Sequence, residues 1–131
     1  MDDFERLRAI CLVLPEAVEA GFGDHEDHPT FRVRNKVFTW YSGGPEGRPE
    51  RAAWVKAAPG VQQELVASDP DRFFVPPYLG PRGWVGVRLQ VPDVDWTEVA
   101  ELVLDSYRLV APKRLAMQLD RFGFSPSPID P

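Results

Sequence analysis

The sequence predicts an α+β fold in two layers, an antiparallel β-sheet with helices packed on one of its faces. Three observations lead there. Apolar residues recur at helical spacing towards both ends of the chain, and short alternating segments rich in Val, Phe, Trp and Thr fill the middle. Gly- and Pro-rich connections separate those segments. With 131 residues, 44% of them hydrophobic, the chain supports one ordinary core. That places a single domain over residues 1–120 and a disordered Pro/Ser-rich tail over 121–131.

The first element is a helix. Asp2 or Asp3 caps it, Phe4, Leu7, Ile10, Cys11 and Leu14 follow at helical spacing, and Pro15 stops it. Cys11 lies on the apolar stripe with no basic neighbour to lower its pKa, and so reads as a small buried hydrophobe rather than a catalytic thiol. A lone cysteine forms no internal disulfide and builds no cysteine-based metal site, in keeping with reducing surroundings. Val18, Ala20 and Phe22 then alternate with Glu19 and Gly21 in a first strand that leads into Asp24-His25-Glu26-Asp27-His28. Two imidazoles and three carboxylates are cation-binding chemistry, but a loop lacks the fixed geometry that a metal centre needs. The segment reads as a solvated loop, and no metal or other cofactor is expected.

Residues 29–41 read as a β-hairpin with one apolar and one basic face. If Asn35 and Lys36 form a two-residue turn, the opposed pairs are Arg34 with Val37, Val33 with Phe38, Arg32 with Thr39, and Phe31 with Trp40. Phe31, Val33, Phe38 and Trp40 then share the covered side, while Arg32, Arg34, Thr39 and Tyr41 face away. Lys36 suits a left-handed turn position poorly, which leaves a turn one residue longer open, and a one-residue slip would exchange the faces. The Gly- and Pro-rich connection over 42–51 is a flexible loop or wing. It lacks the Lys-Ser/Thr ending of a phosphate-binding loop.

A strand over 52–57 puts Trp54 and Lys56 on one face and Ala53, Val55 and Ala57 on the other. Lys56 joins a basic surface if solvated, or becomes a site residue with a depressed pKa if partly buried beside Trp54. Pro59 begins a short helix through Val61, Leu65 and Val66 that ends at Asp69-Pro70. Residues 73–75 and 84–91 form a second antiparallel pair, with Val85, Val87, Leu89 and Val91 inward and Trp84, Arg88 and Gln90 on the opposite face. An exposed Trp84 beside arginines would suit stacking on bases; covered by a loop, it is packing.

The last long helix has the clearest start, with Asp95 as cap, Glu98 three residues on, and Val94 placed to staple to Val99. Trp96, Val99, Ala100, Val103, Tyr107 and Val110 form its apolar stripe. Ser106 is no nucleophile elbow and reads as bonding its own backbone. Pro112 opens a further short helix carrying Lys113 and Arg114.

Net charge is −5, unevenly spread. Residues 1–27 hold eight acids against two bases, 28–92 nine bases against five acids, and 93–131 seven acids against four bases. The basic part of the chain is the part that carries the strands, so the electropositive surface belongs to the sheet. No run approaches the roughly 18 apolar residues of a membrane span, and Asp2 and Asp3 stand where a signal peptide would be basic. The expected location is the cytoplasm, with no membrane partner.

Taken in order, Leu14-Pro15-Glu16, Pro29-Thr30-Phe31-Arg32-Val33, Lys36-Val37-Phe38, Trp54-Val55-Lys56, Gly83-Trp84-Val85, Asp105-Ser106-Tyr107 and Ala111-Pro112-Lys113 resemble the MmcQ/YjbR family over about residues 4–119. The resemblance implies a small α+β domain of frataxin-like topology. It also implies the family's DNA-binding label, which rests on similarity to a double-wing nucleic-acid motif.

Three readings of function follow. The first is a non-catalytic module that binds nucleic acid, DNA in particular, through a basic sheet face. Arg32, Arg34, Lys36, Lys56 and Arg88 would contact phosphate, joined by Lys113 and Arg114. Its weakness is the net negative charge and a total of three lysines. The second is a domain that binds an anionic small molecule or a protein, with a pocket around Trp54, Lys56, Tyr78, Trp84 and Tyr107. The third, an enzyme, has no triad and no metal spacing behind it, and no catalytic residue is assigned. Iron handling by analogy with frataxin rests on fold alone.

Overall fold

A computed structural model of the chain describes residues 2–22, 25–42 and 51–121, with backbone alone for 22, 25–28, 120 and 121. Helix α1 (Asp3–Leu12) precedes strands β1 (Val18–Phe22), β2 (His25–Val33), β3 (Lys36–Ser42) and β4 (Ala52–Lys56). Helix α2 (Val61–Ser68) leads to β5 (Phe73–Phe74), a 3-10 turn at Gly80–Arg82 and β6 (Trp84–Arg88), before α3 (Trp96–Val110) and α4 (Lys113–Arg121). The strands form one sheet in the order β1-β2-β3-β4-β6-β5, antiparallel at every pairing. The expected α+β architecture is the observed one, with the long helices α1 and α3 packed together on one sheet face.

Local chemistry explains the helix ends. Asp2 Oδ1 accepts from the Glu5 N–H at 2.8 Å, and Asp95 Oδ1 from the Glu98 N–H at 3.0 Å. Leu7, Ile10, Cys11 and Leu14 from the N-terminal stripe, and Val99, Ala100, Val103 and Tyr107 from α3, close over Phe31, Val33, Phe38, Val55 and Val85 of the sheet. The Phe38 and Tyr107 rings meet edge to face, centroids 5.4 Å apart, and the Tyr107 hydroxyl donates to the Pro15 carbonyl at 2.6 Å.

The hairpin differs from expectation in two ways. Its turn residues are Arg34 and Asn35, at φ +51° and +67°, so Val33 faces Lys36 and Arg32 faces Val37. Two successive residues in the left-handed region are what the right-handed twist of a two-residue hairpin demands, and Asn tolerates that region better than Lys does. The register then jumps, since Phe31 pairs with Thr39 and Thr30 with Trp40. Phe38 is the extra residue of a β-bulge. Phe38 and Thr39 therefore both turn towards the helices, Thr39 against Cys11, and every later residue of β3 changes side. Tyr41 packs on Phe4 beneath the sheet, and Trp40 stacks on Trp54 on the far face. Thr39 and Tyr41, expected outward, are buried, and Trp40, expected inward with Phe38, lies opposite it.

The bulge also ends the β3–β4 ladder at Thr39 and Val55, short of the Phe38 carbonyl and the Lys56 N–H. Ser106 closes the gap. Its Oγ accepts from the Lys56 N–H at 2.9 Å and its hydroxyl donates to the Phe38 carbonyl at 2.6 Å. The side chain read as bonding its own helix is thus a bridge between two strands.

The stretch 25–28, expected as part of a solvated loop, is the start of β2 and pairs back on β1 through Phe22 and His25; the side chains weighed and set aside there as cation ligands lie outside the described residues. So do the wing over 43–50 and the tail over 122–131. Among the described residues, no helix is long and apolar enough to cross a membrane.

Candidate nucleic-acid interface

The sheet face away from α1 and α3 is built by alternation along the strands, which the bulge at Phe38 resets in β3. Cross-strand pairing places Ala20, Thr30, Trp40, Trp54, Gly86 and Phe74 in one row that crosses all six strands. Trp40 and Trp54 stack with centroids 5.9 Å apart and planes 30° from parallel. At Gly86 a Cβ would lie 2.3 Å from the Phe74 ring, so only glycine lets that ring lie flat over β6. The Arg88 guanidinium sits over the Phe74 ring, 4.8 Å from its centroid, and donates to the Pro70 and Asp71 carbonyls.

A second row runs parallel to the first, with Val18, Arg32 and Val37 on β1 to β3, and Lys56 and Trp84 on β4 and β6. Arg32 lies along the sheet, its Nε donating to Thr30 Oγ1 at 3.1 Å and an Nη to the Gly21 carbonyl at 3.4 Å. Arg32, Lys56 and Arg88 thus occupy β2, β4 and β6 on this one face. Among the strand residues whose side chains are described, none on this face is acidic; Glu19 points to the helix side, where it meets Arg8 of α1.

The tryptophans are less accessible than the stacking reading requires. Trp54 and Trp84 are each 7% exposed, with Leu79 of the preceding connection packed into the same cluster as Trp84. The Trp54 indole N–H is buried without an acceptor among the described residues, so Trp54 contributes bulk to this face and no donor at its surface. Trp40 alone of the three stays half-buried.

A family model named YjbR matches residues 12–109. The chain belongs to the YjbR family. Among solved structures, Deinococcus radiodurans protein DR2400, described by the family-model domain DUF419, matches with a TM-score of 0.72 at 23% identity, over 97% of this chain and 92% of that one. At that identity the likeness concerns the fold, an open antiparallel sheet layered with helices. No curated protein matches the chain.

Within this YjbR-family fold the expected site residues divide into separate groups. Arg32, Lys56 and Arg88 share the helix-free face, whereas Arg34 does not. Held in the turn, Arg34 forms a bidentate pair with Glu16, at 2.6 and 3.1 Å. Hydrogen bonding to Arg34 and the nearby Arg34 and Arg114 charges hold the Glu16 carboxyl below its ordinary range. Arg114, on α4, lies 4.0 Å from the same carboxylate, and Lys113 beside it is exposed on that helix. Lys36 is exposed at the start of β3. A single seven-residue basic surface is therefore not formed.

The alternative pocket is not assembled either. Tyr107 is buried among the helices, with the sheet between it and Trp54 and Trp84, while Tyr78 is 85% exposed on the β5–β6 connection. Burial pushes the Tyr107 phenol up to about 12 and the Cys11 thiol above its ordinary range, which leaves both protonated at neutral pH. Lys56 does line a groove, but its companions are Arg82, Gly60, Gly83 and Leu109. Arg82 carried no motif that marked it in advance.

Proposed function

We propose that this YjbR-family protein is a non-catalytic module that binds nucleic acid across its helix-free sheet face. The observation that carries the reading is the charge of that face, with cations on β2, β4 and β6 and no acid among the strand residues whose side chains are described there. Three strand spacings of about 4.8 Å, with the four residues that separate Arg88 from Trp84 along β6, set Arg32 and Arg88 roughly 20 Å apart, the reach of several phosphates along one strand. Lys56 supplies a cation whose side chain has no hydrogen-bond partner among the described residues, while Arg32 and Arg88 add charge from guanidinium groups that also donate to neutral oxygens of this chain. Trp40, half-buried between them, offers a ring to an unpaired base, which favours a single strand over a duplex.

Two or three neutralised phosphates make a weak binder, with a slope of log K against log salt of about −2 on single strands. Fluorescence anisotropy of labelled single-stranded and duplex DNA over a salt series tests it. The reading expects single-strand binding at low salt that an Arg32→Glu, Lys56→Glu variant loses. No binding at low salt, or equal binding by the variant, refutes it.

A further inference from the structure

We infer that the groove between the β4–α2 connection and the 3-10 turn seats a phosphate dianion, carried on a small metabolite or on the 5′ end of a nucleic-acid strand. The groove encloses about 560 Å³, and its lining includes Lys56 and Arg82 but no acid. Elsewhere Arg8, Arg34, Arg51 and Arg72 each spend their charge on a carboxylate. Lys56 and Arg82 are different, since neither side chain has an ion-pair or hydrogen-bond partner among the described residues. Two unspent cations on one acid-free concavity match a ligand of two negative charges better than a phosphodiester of one.

The walls are fixed before any ligand arrives. The Gln62 side-chain amide, buried, donates to the Gly80 carbonyl at 2.8 Å and the Trp84 carbonyl at 2.5 Å, which pins α2 to the 3-10 turn and to the start of β6. Gly60 and Gly83 hold φ +89° and +87°, a region where a side chain would be strained, and so present bare backbone to the groove. Gly60 also caps α2 without a side-chain acceptor, which leaves the positive end of that helix along the same wall. The volume exceeds that of a phosphate and leaves room for a sugar-sized group against Pro81 and Leu109. The inference shares Lys56 with the sheet-face reading, and Arg82 and the glycines, which take no part in that face, set it apart.

Amide NMR of the full chain tests it, with thymidine 5′-monophosphate as probe and thymidine as control. The nucleotide is expected to shift the Gly60 and Gly83 amides where thymidine does not, and Arg82→Gln to weaken that binding about tenfold, as loss of one charged hydrogen bond does. Oligothymidylates with and without a 5′-phosphate separate the sources. Tighter binding of the phosphorylated strand assigns the site to strand ends, and equal binding assigns it to a small metabolite. Absence of groove shifts with the nucleotide, equal shifts with thymidine, or unchanged affinity in Arg82→Gln overturns the inference. Sheet-face binding of the 5′-hydroxyl strand is scored separately, so the two readings fail independently.

Discussion

Replacing Ser106 with alanine removes the side chain that joins β3 to β4 where the bulge interrupts their ladder. Ser106 is fully buried, and its hydroxyl serves two main-chain groups, the Lys56 N–H and the Phe38 carbonyl. A buried main-chain group deprived of its partner costs about 1–3 kcal/mol, and two are affected. Alanine returns up to roughly 0.5 kcal/mol through its better helix propensity. The net expectation is a loss of about 1.5–6 kcal/mol, a large part of the 5–15 kcal/mol typical of a whole domain. Urea unfolding followed by tryptophan fluorescence measures it, and hydrogen exchange at the Lys56 amide locates it. A loss below about 0.5 kcal/mol, with Lys56 still protected, would refute the bridging role.

Three further outcomes follow from the same geometry. Gly86→Ala places a methyl against the Phe74 ring and should cost about 1–3 kcal/mol by thermal unfolding, with Phe74→Leu in the same chain recovering part of the loss. The fold lowers the Glu16 pKa, so the stabilisation from its pairing with Arg34 is complete above the unfolded value near 4.3 and fades as pH falls through the lower folded value. The stability difference between the protein and Glu16→Gln should therefore shrink in acid, as read from urea midpoints between about pH 6 and 3. The fold raises the Tyr107 pKa, so stability should drop between about pH 10 and 12, where the unfolded chain releases that proton first; Tyr107→Phe should flatten the decline.

Much of the fold was legible because most elements obey one period throughout. The faces of β4 and β6 sorted as expected, since alternation over Ala52–Lys56 and Trp84–Arg88 runs without interruption and a glycine in β6 does not alter it, although β6 ends at Arg88, three residues short of the expected 91. The helices were marked by Asp2, Pro15, Asp95 and Pro112. The hairpin failed at one point, the Phe38 bulge, which no residue type announces and which reversed Trp40 and Tyr41. Ser106 carried a signal that went unused, for it lies three residues from Val103 and so on the buried stripe of α3, where a small hydroxyl needs a partner beyond its own helix. The site was less legible than the fold. Cation spacing along the chain says nothing of whether a carboxylate waits nearby, as Glu16 does for Arg34, and the groove joins residues more than twenty positions apart.

Amide chemical-shift mapping during titration with single-stranded DNA at low salt tests the central claim most directly, because it reports which face is touched. The account predicts shifts at Thr30, Arg32, Trp40, Lys56 and Gly86 on the helix-free face. Shifts confined to α3, α4 and the Arg34–Glu16 corner, with the sheet positions unmoved, would contradict it.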